Sequence, residues 1–231
     1  MKKIPLFSGF LTAMLVLSAS ADIGRVYHPY IEQNEREIEY GQMVYDLGEE
    51  QRYLNQLGFG YAWSERFFTD VYVLSETVNH DGHEEKGYEL EAKWQLTEQG
   101  EYWADWGFML EAGTMRDENE HELAAGLLFE KELENRVIVA LNTFVEYEFG
   151  NDVDNELETA LRSQLRHRFS PAIEPALEIY LDDKDYAAGP ALMGMQRLGA
   201  GKRLKWECGW MLGLDQETPN NTLRALVEFE F

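Results

Sequence analysis

Apolar and polar residues alternate along most of the chain, and the alternation is clearest around residue 90. Charged or amide residues separate a series of apolar positions there, namely Tyr88, Leu90, Ala92, Trp94 and Leu96. Residues 204–212 and 223–231 repeat the pattern. A period of two places all the charges on one face of a β-strand, whereas a helix would spread them around its surface. The pattern therefore predicts an all-β chain.

The same alternation, followed along the chain, predicts about twelve strands. The ninth and tenth are the least regular, because Pro175 and Pro190 lie in or beside them and proline cannot donate a ladder hydrogen bond. The predicted ranges are 36–47, 51–63, 67–78, 86–97, 102–115, 121–133, 136–149, 156–169, 172–182, 186–198, 202–214 and 221–231.

The connections between these strands alternate in length and composition. Short turns such as 64–66 and 199–201 follow even-numbered strands, and longer loops rich in Asp, Glu and Asn, such as 79–85 and 215–220, follow odd-numbered ones. A closed antiparallel barrel with an even number of strands accounts for this alternation. It also predicts that both chain ends lie at the end of the barrel that carries the short turns.

The first residues have the layout of a secretory signal peptide. Lys2 and Lys3 precede a short apolar stretch, and small residues at Ala19 and Ala21 form a cleavage pattern. We therefore expect residues 1–21 to be a signal peptide and 36–231 to be a transmembrane β-barrel. Between them, residues 22–35 are predicted to be a periplasmic leader or a plug inside the barrel.

The composition excludes several classes of protein. A net charge of −23 argues against nucleic acid as a partner, because nucleic acid binding needs a positive surface. Cys208 is the only cysteine, so no disulfide can form within the chain. No segment after the first residues approaches the length of apolar sequence that a transmembrane helix needs.

The end of the chain carries the most specific pattern. Val227, Phe229 and Phe231 occupy alternate positions and Phe231 is the last residue, while other aromatic residues collect at predicted strand ends. The chain resembles the outer-membrane β-barrel proteins of Gram-negative bacteria, which typically end in this way. The resemblance implies contact with outer-membrane lipid and recognition of these three residues by the barrel-assembly machinery. No motif selects a subfamily, and a soluble lipocalin-type barrel, with its apolar faces inward, is the alternative.

If the apolar faces point to lipid, the lumen receives the charged positions. Acids dominate strands four to seven, whereas bases concentrate on strands eight and ten to twelve, which predicts a charge-segregated wall. The acidic candidates for lining the lumen are Glu89, Glu91, Asp105, Glu111, Glu130, Glu146 and Glu148. The basic candidates are Arg162, Arg166, Arg203, Lys205 and Arg224. Such a lumen is either open to solutes or filled by salt bridges.

Catalytic and metal-binding signals are weak in this chain. Ser163 and His167 share the outward face of one predicted strand, but that spacing of about 13 Å is too long for proton transfer. Residues 80–85 contain histidine and acidic side chains but match no metal-ligand spacing, so we expect a solvated loop. We predict no catalytic site, no metal and no cofactor.

These features predict a porin-like channel for small solutes with an acidic, charge-segregated lumen. A structural or surface-interaction barrel with a filled lumen is the alternative. A lipid-acting hydrolase of the outer membrane is a lesser alternative.

Overall fold

The computed structural model describes residues 23–48, 50–79, 81–115, 120–151, 155–183, 185–216 and 218–231. The predicted signal peptide, residues 1–21, lies outside the described residues. Among the residues that the structure describes, no helix is long and apolar enough to cross a membrane.

The chain forms a closed antiparallel barrel in which each strand pairs with its neighbours in sequence and β1 pairs with β12. The predicted twelve-strand barrel is therefore confirmed. In the described part of the chain, one 3-10 turn, Glu134–Arg136, lies between β6 and β7. The strands are β1 Arg36–Asp46, β2 Gln51–Ser64, β3 Phe67–Val78, β4 Asp81–Gln95, β5 Asp105–Met115, β6 Glu120–Glu132, β7 Val137–Gly150, β8 Glu156–His167, β9 Glu174–Leu181, β10 Tyr186–Gly199, β11 Lys202–Gly213 and β12 Asn221–Glu230.

The predicted difference in connection length is wrong. β4 begins at Asp81, so the acidic stretch expected as a loop continues the hairpin, with Glu84 and Glu85 paired to Glu76 and Ser75. The connection 96–104, at the end that carries the short turns, is longer than the described loops at the other end. Polar residues can extend a hairpin into water because the ladder needs only backbone groups, so composition alone did not mark where each strand ends.

The two faces of the barrel wall differ sharply in polarity. Leu90 and Leu127 are 49% and 41% exposed on the outside, whereas the inward Glu91 and Glu130 are 4% and 1% exposed. This is the reverse of a soluble lipocalin-type barrel. An apolar outer wall built on a closed backbone ladder is the arrangement that lipid requires of a sheet.

Aromatic side chains gather near both ends of the outer wall. Phe67 and Trp94 stack with their ring centroids 4.8 Å apart near the end that holds the chain termini. Tyr147 and Phe149 stack at 5.5 Å near the opposite end. Two such belts suit a wall whose ends lie at the two membrane interfaces.

The barrel closes through direct pairing of its first and last strands. The register runs from Glu37 opposite Glu230 to Asp46 opposite Asn221. Beyond it, the amide of Phe231 donates to the carbonyl oxygen of Arg36 at 2.9 Å. The last residue therefore extends the closing seam.

The two faces respond differently to a change of charge. Leu90→Arg should lower the free energy of unfolding by about 2–4 kcal/mol, because it places a cation in lipid near the middle of β4. The neighbouring inward substitution Glu89→Gln is the matched control and should have a much smaller effect. Urea unfolding in lipid vesicles measures both, and the reverse ranking would show that the faces are assigned backwards.

Candidate functional site in the barrel lumen

The inward face of the wall carries the charged residues that were predicted from alternation. Glu91, Asp105, Glu111, Glu130, Glu146 and Glu148 are buried, and Glu89 is half-buried. Of the bases, Arg162 and Arg224 are buried, while Arg166, Arg203 and Lys205 are half-buried. The structure thus gathers these residues inside the barrel.

Residues 23–35, here called the N-terminal segment, run inside the barrel alongside these groups. The segment enters at the mouth that also holds the chain terminus Phe231. Ile23 and Val26 reach an apolar cluster that contains Tyr180 and Met211. Tyr180 is the penultimate residue of β9 at the opposite end, so the segment passes the middle of the lumen.

The deep part of the segment is held by polar side chains of the wall. Arg25 forms an ion pair with Glu39 of β1. The Tyr27 hydroxyl donates to Glu91 at 2.6 Å. Asn142 of β7 accepts from the Tyr27 amide at 2.7 Å and donates to its carbonyl oxygen at 3.0 Å. Asn142 therefore binds this backbone as a neighbouring strand would.

Nearer the mouth the segment contacts β4, β5 and β6. The Tyr30 hydroxyl donates to Asp105 at 2.8 Å and to Glu130 at 3.1 Å. Burial, and then the adjacent Glu130 and Asp105 carboxylates, raise the pKa of the Tyr30 phenol well above its ordinary value, so the group remains a donor. His28 Nδ1 lies 2.6 Å from Glu130, and the Ile31 amide donates to Gln95 at 2.8 Å.

The segment turns into β1 at the mouth itself. Asn34 has φ 64°, in the left-handed region that asparagine tolerates, and the Glu35 amide donates to the Glu32 carbonyl oxygen at 3.1 Å. Arg203 of β11 pairs with Glu32 of the segment and with Glu230 of β12. Lys205 pairs with Glu230 and lies 3.5 Å from Glu35. These ion pairs tie the segment to the closing seam.

A second polar network joins strands of the wall directly. Arg224 donates to both carboxylate oxygens of Glu178, at 2.9 and 3.1 Å, and these side chains are 1% and 0% exposed. The same guanidinium donates to the Tyr180 hydroxyl at 2.6 Å and to the Gly24 carbonyl oxygen at 2.5 Å. This network therefore includes both the wall and the N-terminal segment.

The predicted bases all have carboxylate partners. Arg162 lies 3.3 Å from Glu146, and Arg166 lies 3.2 Å from Glu174, which the sequence reasoning had not singled out. Each of these bases is therefore balanced by at least one carboxylate. The segregation of charge is therefore carried mainly by the acidic side.

We call that acidic side the acidic arc. Cross-strand pairing places its members side by side, because Asp70 is opposite Glu91, Glu91 opposite Glu111, and Glu146 opposite Glu158. Among the described residues, its cationic neighbours are Arg25, Lys93 and Arg162. The arc comprises Asp70, Glu89, Glu91, Glu111, Glu122, Glu146, Glu148, Glu156 and Glu158.

Inward glycines make room for what fills the lumen. A Cβ atom on Gly58 would collide with the Tyr72 ring, and one on Gly126 would collide with the Phe144 ring. A Cβ atom on Gly107 would likewise come too close to Pro29 of the N-terminal segment. These glycines therefore admit bulky neighbours.

The other candidate groups lie outside the lumen. The Ser163 hydroxyl donates to the Ile179 carbonyl oxygen at 3.4 Å on the outer wall, and His167 ends β8. In the stretch 80–85, His80 and the side chains of Asp81 and His83 lie outside the described residues. Neither place brings a defined catalytic or metal-binding arrangement into the described part of the chain.

No protein-family model matches the chain, and no curated protein matches it significantly. Solved structures do match. An outer membrane channel from Pseudomonas putida F1 has 13% sequence identity and a TM-score of 0.59, over 87% of this chain and 97% of that one. The KdgM porin, in complex with disordered oligogalacturonate, has 13% identity and a TM-score of 0.53, over 84% of this chain and 98% of that one.

The β domain of the Bordetella autotransporter BrkA is also similar, with 14% identity and a TM-score of 0.55 over 87% of this chain and 100% of that one. These likenesses show the fold, which is that of outer-membrane barrels. The predicted resemblance to that class is therefore confirmed. No likeness selects a subfamily.

The buried pair between Arg224 and Glu178 is expected to stabilise the folded barrel. Arg224→Met should lower the free energy of unfolding by about 3–5 kcal/mol, because Glu178 is left as a buried charge without its guanidinium. The double variant Arg224→Met/Glu178→Gln should recover much of that loss. Urea unfolding of the folded barrel measures both, and equal losses in the two variants would argue against a buried ion pair.

Proposed function

We propose that this chain is a porin-like channel of the outer membrane for small solutes, closed at rest by its own N-terminal segment. One observation carries the proposal: residues 23–35 pass through the middle of the lumen and form no part of the wall. The similar solved structures described as a channel and a porin support a transport role. The apolar outer wall supports the membrane location.

The wall does not need the segment in order to be closed. β1 pairs with β12 along its length, so every strand keeps both neighbours when residues 23–35 leave. The segment is held largely by ion pairs and hydrogen bonds to side chains that point into the lumen. Such contacts exchange for contacts with water at modest net cost, so the segment can leave without unfolding the barrel.

The lumen exposed by this movement has an excess of carboxylates. Of its cationic neighbours in the described part of the chain, the acidic arc keeps Lys93 and Arg162 but loses Arg25, which belongs to the segment. Rings of carboxylates favour cations in channels. We therefore expect the open channel to prefer cations.

A filled structural barrel remains the second candidate. The Arg224–Glu178–Tyr180 network favours it, because these side chains connect β9 to β12 across the lumen without help from the segment. Conductance separates the two candidates.

Deleting residues 23–33 should raise the conductance of the purified protein in a planar bilayer. Reversal potentials across a salt gradient should show a preference for cations that shrinks at 1 M salt, because the Debye length there is only about 3 Å. Absence of conductance in the deletion variant would support the filled barrel. Selectivity for anions would contradict the charge argument.

A milder change tests the same closure. Asn142→Ala removes both hydrogen bonds to the Tyr27 backbone and should make spontaneous openings more frequent. Asn155→Ala is the control, since Asn155 is exposed in the connection between β7 and β8. Equal opening frequencies in the two variants would argue that the segment does not gate the pore.

We further propose that Val227, Phe229 and Phe231 are read by the barrel-assembly machinery and that both chain ends face the periplasm. The Phe229 and Phe231 rings stack at 5.7 Å at the end of the seam. Deleting Phe231 should lower the amount of heat-modifiable folded protein in outer-membrane fractions and increase its degradation. Substituting the exposed Leu133 by Ala is the control, and a normal level of the deletion variant would contradict this role.

A further inference from the structure

Carboxylates of the acidic arc lie close enough together to share a single ion. The carboxylate oxygens of Glu148, Glu156 and Glu158 all lie within 4.8 Å of one another. Two oxygens bound to one Ca²⁺ are separated by at most about 5 Å, because each Ca²⁺–oxygen distance is 2.3–2.6 Å. The trio therefore has the spacing of a shared ion. Glu122 and Glu146, opposite Glu148 and Glu158, extend the same surface.

A second feature of the arc is a buried carboxylate oxygen that could bind a cation. Glu111 is 8% exposed, and its Oε1 is buried with no hydrogen-bond partner among the described residues. Its electrostatic neighbours are other arc carboxylates, including Glu91 and Glu122. A buried carboxylate oxygen without a partner is costly, and a cation in the arc would offset that cost.

The donor set indicates which kind of cation would bind. Every member of the arc is a carboxylate, and the described part of the arc contains no imidazole or thiolate. Oxygen donors of this kind suit hard ions such as Ca²⁺ and Mg²⁺ rather than soft or borderline transition metals. The Cβ atoms of residues directly opposite each other across a strand pair lie only about 4.5–5.5 Å apart, so two such side chains can reach one compact divalent ion.

We infer that the acidic arc is a binding site for divalent metal ions of the Ca²⁺ class inside the lumen. The inference deepens the proposed function, since the ion would lie beside the solute pathway and would lower the negative charge of its wall. Occupancy of the arc by divalent ions would therefore reduce the cation preference of the open channel.

The test is direct binding to the full folded chain in detergent after treatment with a chelator. Calorimetric titration with CaCl₂ should show saturable binding. Glu146→Gln/Glu158→Gln should weaken it at least about tenfold, because fewer charged ligands remain. Glu134→Gln, which removes an exposed carboxylate from the turn before β7, is the matched control and should bind Ca²⁺ as the unmodified chain does.

Heat-modifiable mobility on gels shows that each variant is folded. If the double variant does not fold, Glu111→Gln replaces it, and the expected result is a weaker affinity for Ca²⁺. Absence of saturable Ca²⁺ binding, or equal binding by arc and control variants, would overturn the site. Binding of spermidine without binding of Ca²⁺ would overturn its assignment to metal ions.

Failure of this inference can be told apart from failure of the channel proposal. Binding is measured without a membrane, whereas the channel is tested by conductance. A chain that binds Ca²⁺ but never conducts keeps the metal site and loses the channel. A chain that conducts but does not bind Ca²⁺ supports the channel and overturns the metal site.

Discussion

The pairing of β1 with β12 is the interaction on which the rest of this structure depends. A backbone in hydrocarbon cannot give its amide and carbonyl groups to water, so a sheet is stable there only without edges. Once the ring is complete, the outer face is free to be apolar and the inner face is free to be charged. Both chain ends lie at the same end of the barrel, because the number of antiparallel strands that the seam closes is even.

A closed wall changes the role of the polar interior. Because the backbone ladders already hold neighbouring strands together, the inward charges are also available to bind the N-terminal segment. On the side of β8 to β12 the bases pair with carboxylates of the wall, as Arg224 does with Glu178, and also contact the N-terminal segment. On the side of β3 to β8 the inward charges bind residues 23–35 and leave carboxylates such as Glu111 without a counter-charge. The asymmetry of the lumen comes from this difference in pairing.

The wall was largely predictable from the sequence, because the alternation of apolar and polar residues is a property of each strand by itself. Alternation around Leu90 assigned the faces of β4 correctly, and the same rule found all twelve strands. Loop lengths were predicted wrongly because backbone pairing continues through polar residues such as Glu84 and Glu85.

The contacts of the N-terminal segment could not be predicted, because they join positions far apart in the chain. Tyr27 meets Asn142 across 115 positions, and no periodic pattern marks the segment. A lone asparagine among the inward residues of β7 was the one available sign. The pairing of Arg166 with Glu174 likewise follows from the register of β8 with β9, which a list of charged positions does not contain.

The N-terminal segment is anchored at two depths, by Asn142 near the middle of the lumen and by Arg203 at the mouth. Between these anchors the chain has a set length, since each residue spans at most about 3.6 Å. Inserting or deleting one residue would move Tyr27, Tyr30 and Ile31 away from the wall side chains that they contact. An insertion or deletion within residues 27–32 would therefore disrupt several of these contacts at once, whereas a single substitution there would remove only its own.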